Sequence, residues 1–439
     1  MPTIASIGGK LIPWAMKGGL AMLDQGLITG SNFIMGIILA RWLPSEQYGA
    51  YAVAFAVFVL LSMLYQSLFL EPQAVFGASA YRGCFRGYVK ALLRLHLATA
   101  LLILLVLGVV AEVALKLGQP GRLPGALAGV ALAAPCILLF WLGRRTIYLE
   151  FSPAPAAGGS LFYCALILCG LYVAYRFGLL SPMSALLLMG LGALGASVFL
   201  FTYLKLRLPR TQGAPTLRDA WHRHWDYGRW ALASAAMMWI PANVFYPLLS
   251  SLCGMAQAGE LKALMNFTVP VLQTYAAISS LLLPYLVRVH EREGYAGTSV
   301  VTRRVTLLCV SGAVVYWAPL LLFKAPAFRL LYSGRYTEVA YLLPVVALGS
   351  LSWSAFFGLA NALRAMTSPA SVFAAVLVSS CVSVTVGVPA AWALGVRGVV
   401  WSMALSEALS LVMVLVLLRR KMRQAPDAVP NLPELSVSS

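Results

Sequence analysis

From Arg94 to Lys116 the chain reads RLHLATALLILLVLGVVAEVALK, with Glu112 as the one acid between its end charges. About 20 mainly apolar residues in a helix span the ~30 Å hydrocarbon core of a bilayer. The same pattern recurs along the chain. We read twelve spans, at 20–42, 48–70, 94–116, 123–143, 158–176, 181–204, 229–252, 262–287, 305–323, 339–362, 371–393 and 397–418. Strands of a membrane barrel would instead alternate over short segments. Composition agrees: 61% of residues are hydrophobic and 10% charged, against about 25% charged in soluble domains. The expected fold is an all-α integral membrane protein of about twelve transmembrane helices, in contact with the phospholipid bilayer.

A net charge of +18 suits a nucleic-acid binder, but its distribution argues for topology instead. With the N-terminus cytoplasmic, 23 of the 32 Lys and Arg fall on the cytoplasmic side of these spans, as the positive-inside rule requires. Both termini are then cytoplasmic, and no nucleic-acid partner is expected. The longest loop between spans, KLRLPRTQGAPTLRDAWHRHWDYGR, separates six spans from six. The expected organisation is an amphipathic lead (1–19), an N-terminal six-helix lobe (20–204), a cytoplasmic linker (205–228), a C-terminal six-helix lobe (229–418) and a basic, then disordered, tail (419–439). The seven cysteines are scattered without a CxxC pair, and "HRH" at 222–224 has no supporting acids or cysteines. Neither a disulfide framework nor a metal site is read. With no Walker A loop, ATP hydrolysis is not expected, and the chain reads as a non-enzyme without cofactors.

The halves show a faint repeat. A shift of 210 residues brings Gln47 onto Gln257 and Gly49 onto Gly259, in EQYGAYAVAF and AQAGELKALM. Six spans per half give both halves one membrane orientation, a pattern of many secondary transporters. RWLPSEQYG (41–49) reads as the outer turn of the first hairpin. Arg41 and Trp42 suit the interface, Pro44 ends the first helix, Ser45 can cap the next, and Glu46 falls in its favourable first turn.

LDQGLITGSNFIMGIILARWLPSEQYGAYAVAF resembles the start of bacterial polysaccharide exporters, including O-antigen (Wzx-type) flippases, of the multidrug/oligosaccharidyl-lipid/polysaccharide (MOP) superfamily. Further likenesses follow in order: FLEPQAVFG, GRRTIYLE, YGRWALASAAMMWIPANVFYPLLSSLCGMAQAGELKAL, LLPYLVR, LYSGRYTEVAYLLPVVALGS and ALGVRGVVWSMALSEAL. They cover nearly the whole chain. The resemblance implies a MATE-like fold with two lobes rocking about a central cavity. It implies transport of an undecaprenyl-diphosphate-linked oligosaccharide across the bacterial inner membrane for surface polysaccharide biosynthesis. Polysaccharide polymerase and glycosyltransferases would be its partners. A MATE-type ion-coupled drug or metabolite exporter is the alternative. A membrane-embedded glycan polymerase or ligase would need a larger outer loop than KAPAFRLLYSGRYTEV, and a lipid II flippase of the superfamily typically has two extra spans.

A polar head group needs polar residues on one face of selected helices. Asn32, Asn243, Tyr246, Asn266, Gln273 and Asn361 are the candidate cavity residues, because amides and the tyrosine hydroxyl both donate and accept hydrogen bonds. Arg364 joins them at an expected inner helix end, where a guanidinium suits phosphate oxygens. Interhelical hydrogen bonding is the competing reading for the amides, and positive-inside topology for Arg364. Asp24 is a candidate for ion coupling, or a carboxylate in the first turn of its helix. Arg41, Glu71, Arg144 and Arg145 are candidates for a diphosphate contact or gate, against snorkelling for Arg41, pairing with a loop arginine for Glu71 and positive-inside topology for Arg144 and Arg145. Ser402, Ser406 and Ser410 share a face with Glu407 beside them and read mainly as packing residues. Pro241, Pro247 and Pro270 mark bending points or static kinks.

Overall fold

The computed structural model describes residues 4–119, 122–150, 153–208, 213–366 and 368–423. Among these the secondary structure is helical, without strands. Its helices are α1 (Ile4–Trp42), α2 (Ser45–Tyr65), α3 (Glu71–Ala78), α4 (Phe85–Lys116), α5 (Leu123–Glu150), α6 (Ala154–Arg176), α7 (Pro182–Arg207), α8 (Leu217–Asn243), α9 (Phe245–Leu252), α10 (Met255–Asn266), α11 (Val269–Leu322), α12 (Lys324–Tyr332), α13 (Leu343–Ala365), α14 (Pro369–Val382) and α15 (Val388–Arg423). Nine helical stretches of the described residues are long and apolar enough to cross a membrane, and the pair α8–α9, bent by 46°, makes a tenth. The chain is a multi-pass membrane protein.

Two of these stretches fold back at a glycine. In α11, Gly294 has φ 63°, and Tyr275 Oη donates to the Cys309 carbonyl at 3.0 Å across the reversal. In α15, Gly395 has φ 58°, and a Cβ added to Gly387 would lie 3.0 Å from Ser402 Oγ. Left-handed φ values are cheap only for glycine. The two reversals divide the ten stretches into twelve passes, with α10 and the first half of α11 forming the eighth.

Local chemistry sets the other breaks. The α8–α9 bend falls at Val244, where Pro247 has no N–H to offer the Asn243 carbonyl one turn earlier. The expected cap at Ser45 is not formed. Pro44 occupies the cap position with φ −56°, and Ser45 is already the first helical residue. Glu46 does fall in that first turn. The first-turn reading of Asp24 is overturned: α1 begins at Ile4, so Asp24 lies deep within it. Residues 209–212 of the expected linker and 424–439 of the expected tail lie outside the described residues.

The first six passes pack as one bundle, chiefly through α5 against α4 and α7, and α6 against α1 and α7. The later passes form a second, through α13 against α11 and α15, and α14 against α15. The main joint between them is α2 against α10. There a Cβ on Gly49 would overlap the Met255 carbonyl oxygen, and one on Gly259 would lie 2.7 Å from the Ser45 carbonyl oxygen. The 210-residue shift maps 45 onto 255 and 49 onto 259, so the contact is reciprocal. Each lobe offers the same glycine to the same carbonyl of the other, the signature of an internal two-fold axis.

This joint is sealed by arginines reaching across in both directions. Arg41 of the first lobe donates to the Leu330 carbonyl at 3.3 Å, and Arg335 of the second donates to the Leu43 carbonyl. Gly49→Ala is expected to lower the unfolding temperature in detergent, at a cost of roughly 1–3 kcal/mol for overpacking. Gly26→Ala, where an added Cβ meets nothing within 4 Å, should hold or raise that temperature, since alanine favours helix.

Candidate functional site

Away from the glycine joint, three cavities share walls. The first, about 300 Å³, is lined by Gln25, Ile28, Gln66, Leu70, Trp141, Arg144, Arg145 and Tyr148. The second, about 520 Å³, lies between the lobes. Gln66 and Trp141 border it with the first, and Glu71, Ser234 and Met238 add to its wall. The third, about 270 Å³, is bordered by Met238 and lies chiefly among α8, α10, α13 and α15. A row of cavities therefore runs from an arginine pair in the first lobe to Lys262 and Glu407 in the second.

Asp24 organises the first cavity. It is fully buried. Arg144 and Ser160 both bond to its carboxylate, and Tyr148 Oη donates to Oδ2 at 2.7 Å. A buried carboxylate is tolerable when paired and hydrogen-bonded, and three donors from α5 and α6 meet both conditions. The Arg144 guanidinium also lies 5.7 Å from the Phe140 ring centroid, and its side chain is 14% exposed. Arg145 differs from its neighbour. It is half-buried at the same cavity and forms no hydrogen bond or close ion pair among the described residues, with the Glu71 carboxylate acting on it only from beyond ion-pair distance. Position explains the contrast: adjacent helix residues point about 100° apart, so α1 can satisfy only one of the pair.

The other sequence candidates divide by environment. Tyr246 lines the third cavity and Glu71 the second. Asn266 is buried in the joint, where Nδ2 donates to Tyr48 Oη at 2.9 Å. Asn361 is buried too, with Nδ2 donating to the Phe357 carbonyl at 2.9 Å. Asn243 Nδ2 bonds back to the Trp239 carbonyl at 3.4 Å, and Asn32 Oδ1 accepts from Tyr163 Oη at 3.2 Å. Gln273 is exposed and crosses between lobes, its Oε1 accepting from Thr29 Oγ1 at 3.4 Å. Arg364 is exposed, whereas Arg41 belongs to the sealed joint. Ser402 and Ser406 bond to their own helix, and Ser410 bonds to the Ala375 carbonyl of α14.

Several lining groups escaped the sequence reading. Gln25 follows Asp24 but lies off the polar face chosen for the first span, and Gln66 falls in none of the sequence motifs. Lys262 opens the expected eighth span at its outer end; it lies within α10, at the third cavity. A lysine within an apolar helix is itself a functional signal in a membrane protein.

No protein-family model and no curated protein matches the sequence. Similarity lies in the fold. An inward-facing multidrug resistance MATE family transporter of the MOP superfamily superposes with a TM-score of 0.77, at 13% identity, over 91% of this chain and 94% of that one. The lipid II flippase MurJ, in an inward closed conformation, gives 0.67 at 13% identity, over 92% and 87%. An outward-facing MATE transporter gives 0.64 at 15% identity, over 92% and 94%. The fold is thus the MATE-like fold shared by drug transporters and a lipid II flippase.

Arg144→Ala would strand Asp24 and should cost roughly 3–5 kcal/mol, the range for breaking a buried ion pair. Adding Asp24→Asn should recover most of that loss. A double-mutant cycle of thermal unfolding in detergent checks both statements, and additive losses would mean the pair is not coupled.

Proposed function

We propose that this chain carries an amphipathic anion across the bilayer by alternating access of its two lobes. The cargo is a lipid-linked oligosaccharide of the undecaprenyl-diphosphate type, used in building surface polysaccharide at the bacterial inner membrane. The observation behind this reading is Arg145: a cationic fork at the wall of a cavity, beside an arginine that Asp24 already neutralises. A diphosphate has the geometry and charge that such a fork accepts best. Gln25 and Gln66 beside it can donate to and accept from sugar hydroxyls. The lipid tail stays in the hydrocarbon while the head group uses the row of cavities.

The reciprocal glycine joint supports the rocking motion, because it closes one end by contacts that a lobe rotation can part. Under the charge bias of the loops, the sealed end faces outward and both termini lie in the cytoplasm. The higher similarity to an inward-facing than to an outward-facing transporter agrees with that orientation. The site residues act as two groups: Asp24, Arg144 and Arg145 with Gln25 and Gln66 for the head group, and Arg41 with Arg335 for the seal. Polysaccharide polymerase and glycosyltransferases are the partners this role implies.

A MATE-type exporter of drugs or metabolites shares the fold, and Asp24 is the observation that favours it. In this chain, however, Arg144, Tyr148 and Ser160 occupy that carboxylate, leaving little of it for an organic cation.

Proteoliposomes carrying a fluorescent undecaprenyl-diphosphate oligosaccharide test the choice. Wild type should transfer it between leaflets, and Arg145→Gln should slow transfer about tenfold or more, the loss of one charge-assisted contact. Ion-driven efflux of organic cations, with no transfer of any glycolipid, would establish the exporter reading instead.

A further inference from the structure

The third cavity is lined by one basic and one acidic side chain. Lys262 rises from α10, and its Nζ lies 4.7 Å from the Phe55 ring centroid and 5.8 Å from that of Tyr246. Glu407 is on α15, twelve residues from the Gly395 reversal and twelve from Arg419, about 18 Å of helix either way. It is therefore near the middle of its pass. Both line the same cavity. Among the described residues they form no ion pair with each other, and neither makes a hydrogen bond.

The setting around Glu407 is shaped for that side chain. A Cβ on Gly349 would lie 2.5 Å from Glu407 Oε2, so the absence of a side chain there makes its room. The remaining wall is mainly apolar and includes Met238, Trp353 and Val400. Fields are strong in such surroundings, and a charge without a counter-charge is costly. The aromatic faces ease the cost for Lys262. Nothing comparable serves the carboxylate.

We propose that this cavity is a binding site for a zwitterionic saccharide unit, one bearing an amine and an acid group. Its ammonium would meet Glu407 and its carboxylate or phosphate would meet Lys262. The inference rests on the glycan-transport reading above and narrows the substrate class. Selectivity follows from the two charges together. A simple anion is drawn to Lys262 and repelled by Glu407, and a simple cation the reverse. A neutral sugar leaves both charges desolvated and unpaired. Only an occupant with both signs satisfies both walls. Tyr246 and Trp353 provide flat surfaces for the C–H faces of a sugar ring, and the volume of about 270 Å³ admits a small unit and not a whole glycan.

The test is equilibrium binding by the purified full-length protein in detergent. Three probes share one skeleton: the methyl glycoside of 2-amino-2-deoxyglucuronic acid, its N-acetylated form, and its methyl ester. The zwitterion should bind about tenfold or more tightly than either modified probe, each of which lacks one charge-assisted contact. Lys262→Met should abolish discrimination between the acid and the ester while keeping that between the amine and the N-acetyl form. Glu407→Gln should do the opposite. Gly349→Ala, which displaces the carboxyl without removing it, should weaken binding of the zwitterion and leave the N-acetylated form little changed. A purely structural role for these side chains would not produce that crossed pattern.

Equal binding of the three probes by wild type would overturn the proposal, as would sodium binding that Glu407→Gln abolishes while the probes fail to bind. The transport reading is judged separately. Transfer of lipid-linked glycans by wild type, without discrimination among the probes, removes only this inference, whereas absence of all glycolipid transfer removes the reading on which it rests.

Discussion

The two lobes meet because neither glycine at their joint has a side chain. Gly49 and Gly259 let the α2 and α10 backbones approach until each faces a carbonyl oxygen of the other helix. Close packing of this kind replaces the hydrophobic effect as the force between helices in lipid, where apolar side chains gain little by leaving the solvent. The arginine–carbonyl bonds of Arg41 and Arg335 sit at the rim of this joint. The cluster in which Asn266 bonds Tyr48 is buried within it. Everything deeper, including the row of cavities, depends on the lobes touching here and separating elsewhere.

Charge inside the fold follows one economy. Asp24 is surrounded by donors and closed off, and its partner Arg144 is thereby used up. Lys262 and Glu407 face a cavity without such partners, and Arg145 faces another with only the more distant Glu71 carboxylate acting on it. A membrane interior makes idle charge expensive, so the contrast separates groups that hold the fold from groups placed for a visitor. The amides divide the same way. Asn266 spends its donor on Tyr48 of the other lobe, while Asn361 donates back to the Phe357 carbonyl of its own helix and accepts from Ser279 of α11.

Much of the architecture was legible along the chain. The twelve spans correspond to twelve helical passes, because hydropathy is read locally and a bilayer imposes a fixed length. The glycine match at 49 and 259 was legible only as a faint repeat; the structure shows that these glycines form the joint, a position where touching backbones tolerate little but glycine. Other features were less accessible. Ser45 looked like a cap, but Pro44 was already in place to start the helix. Asp24 looked terminal because α1 continues upstream through residues whose composition did not announce a pass. Lys262 looked like the outer end of the eighth span because α10 starts that pass seven residues earlier, at Met255.

The sequence by itself determined an all-helical membrane fold, its number of passes, its internal duplication and the stock of polar groups available at bilayer depth. These are properties of composition and order, and they survive any rotation of a helix about its axis. Which polar groups meet was decided by the tertiary structure alone. Asp24 reaches Arg144 across 120 positions of sequence, while Arg145, one residue away, turns to the cavity. Lys262 and Glu407 come to one wall-bound space from α10 and α15. A shift of one residue along a helix turns a side chain by about 100°. Pairing therefore depends on how each helix is rotated and set against its neighbours, and no pattern along a single strand of sequence records that.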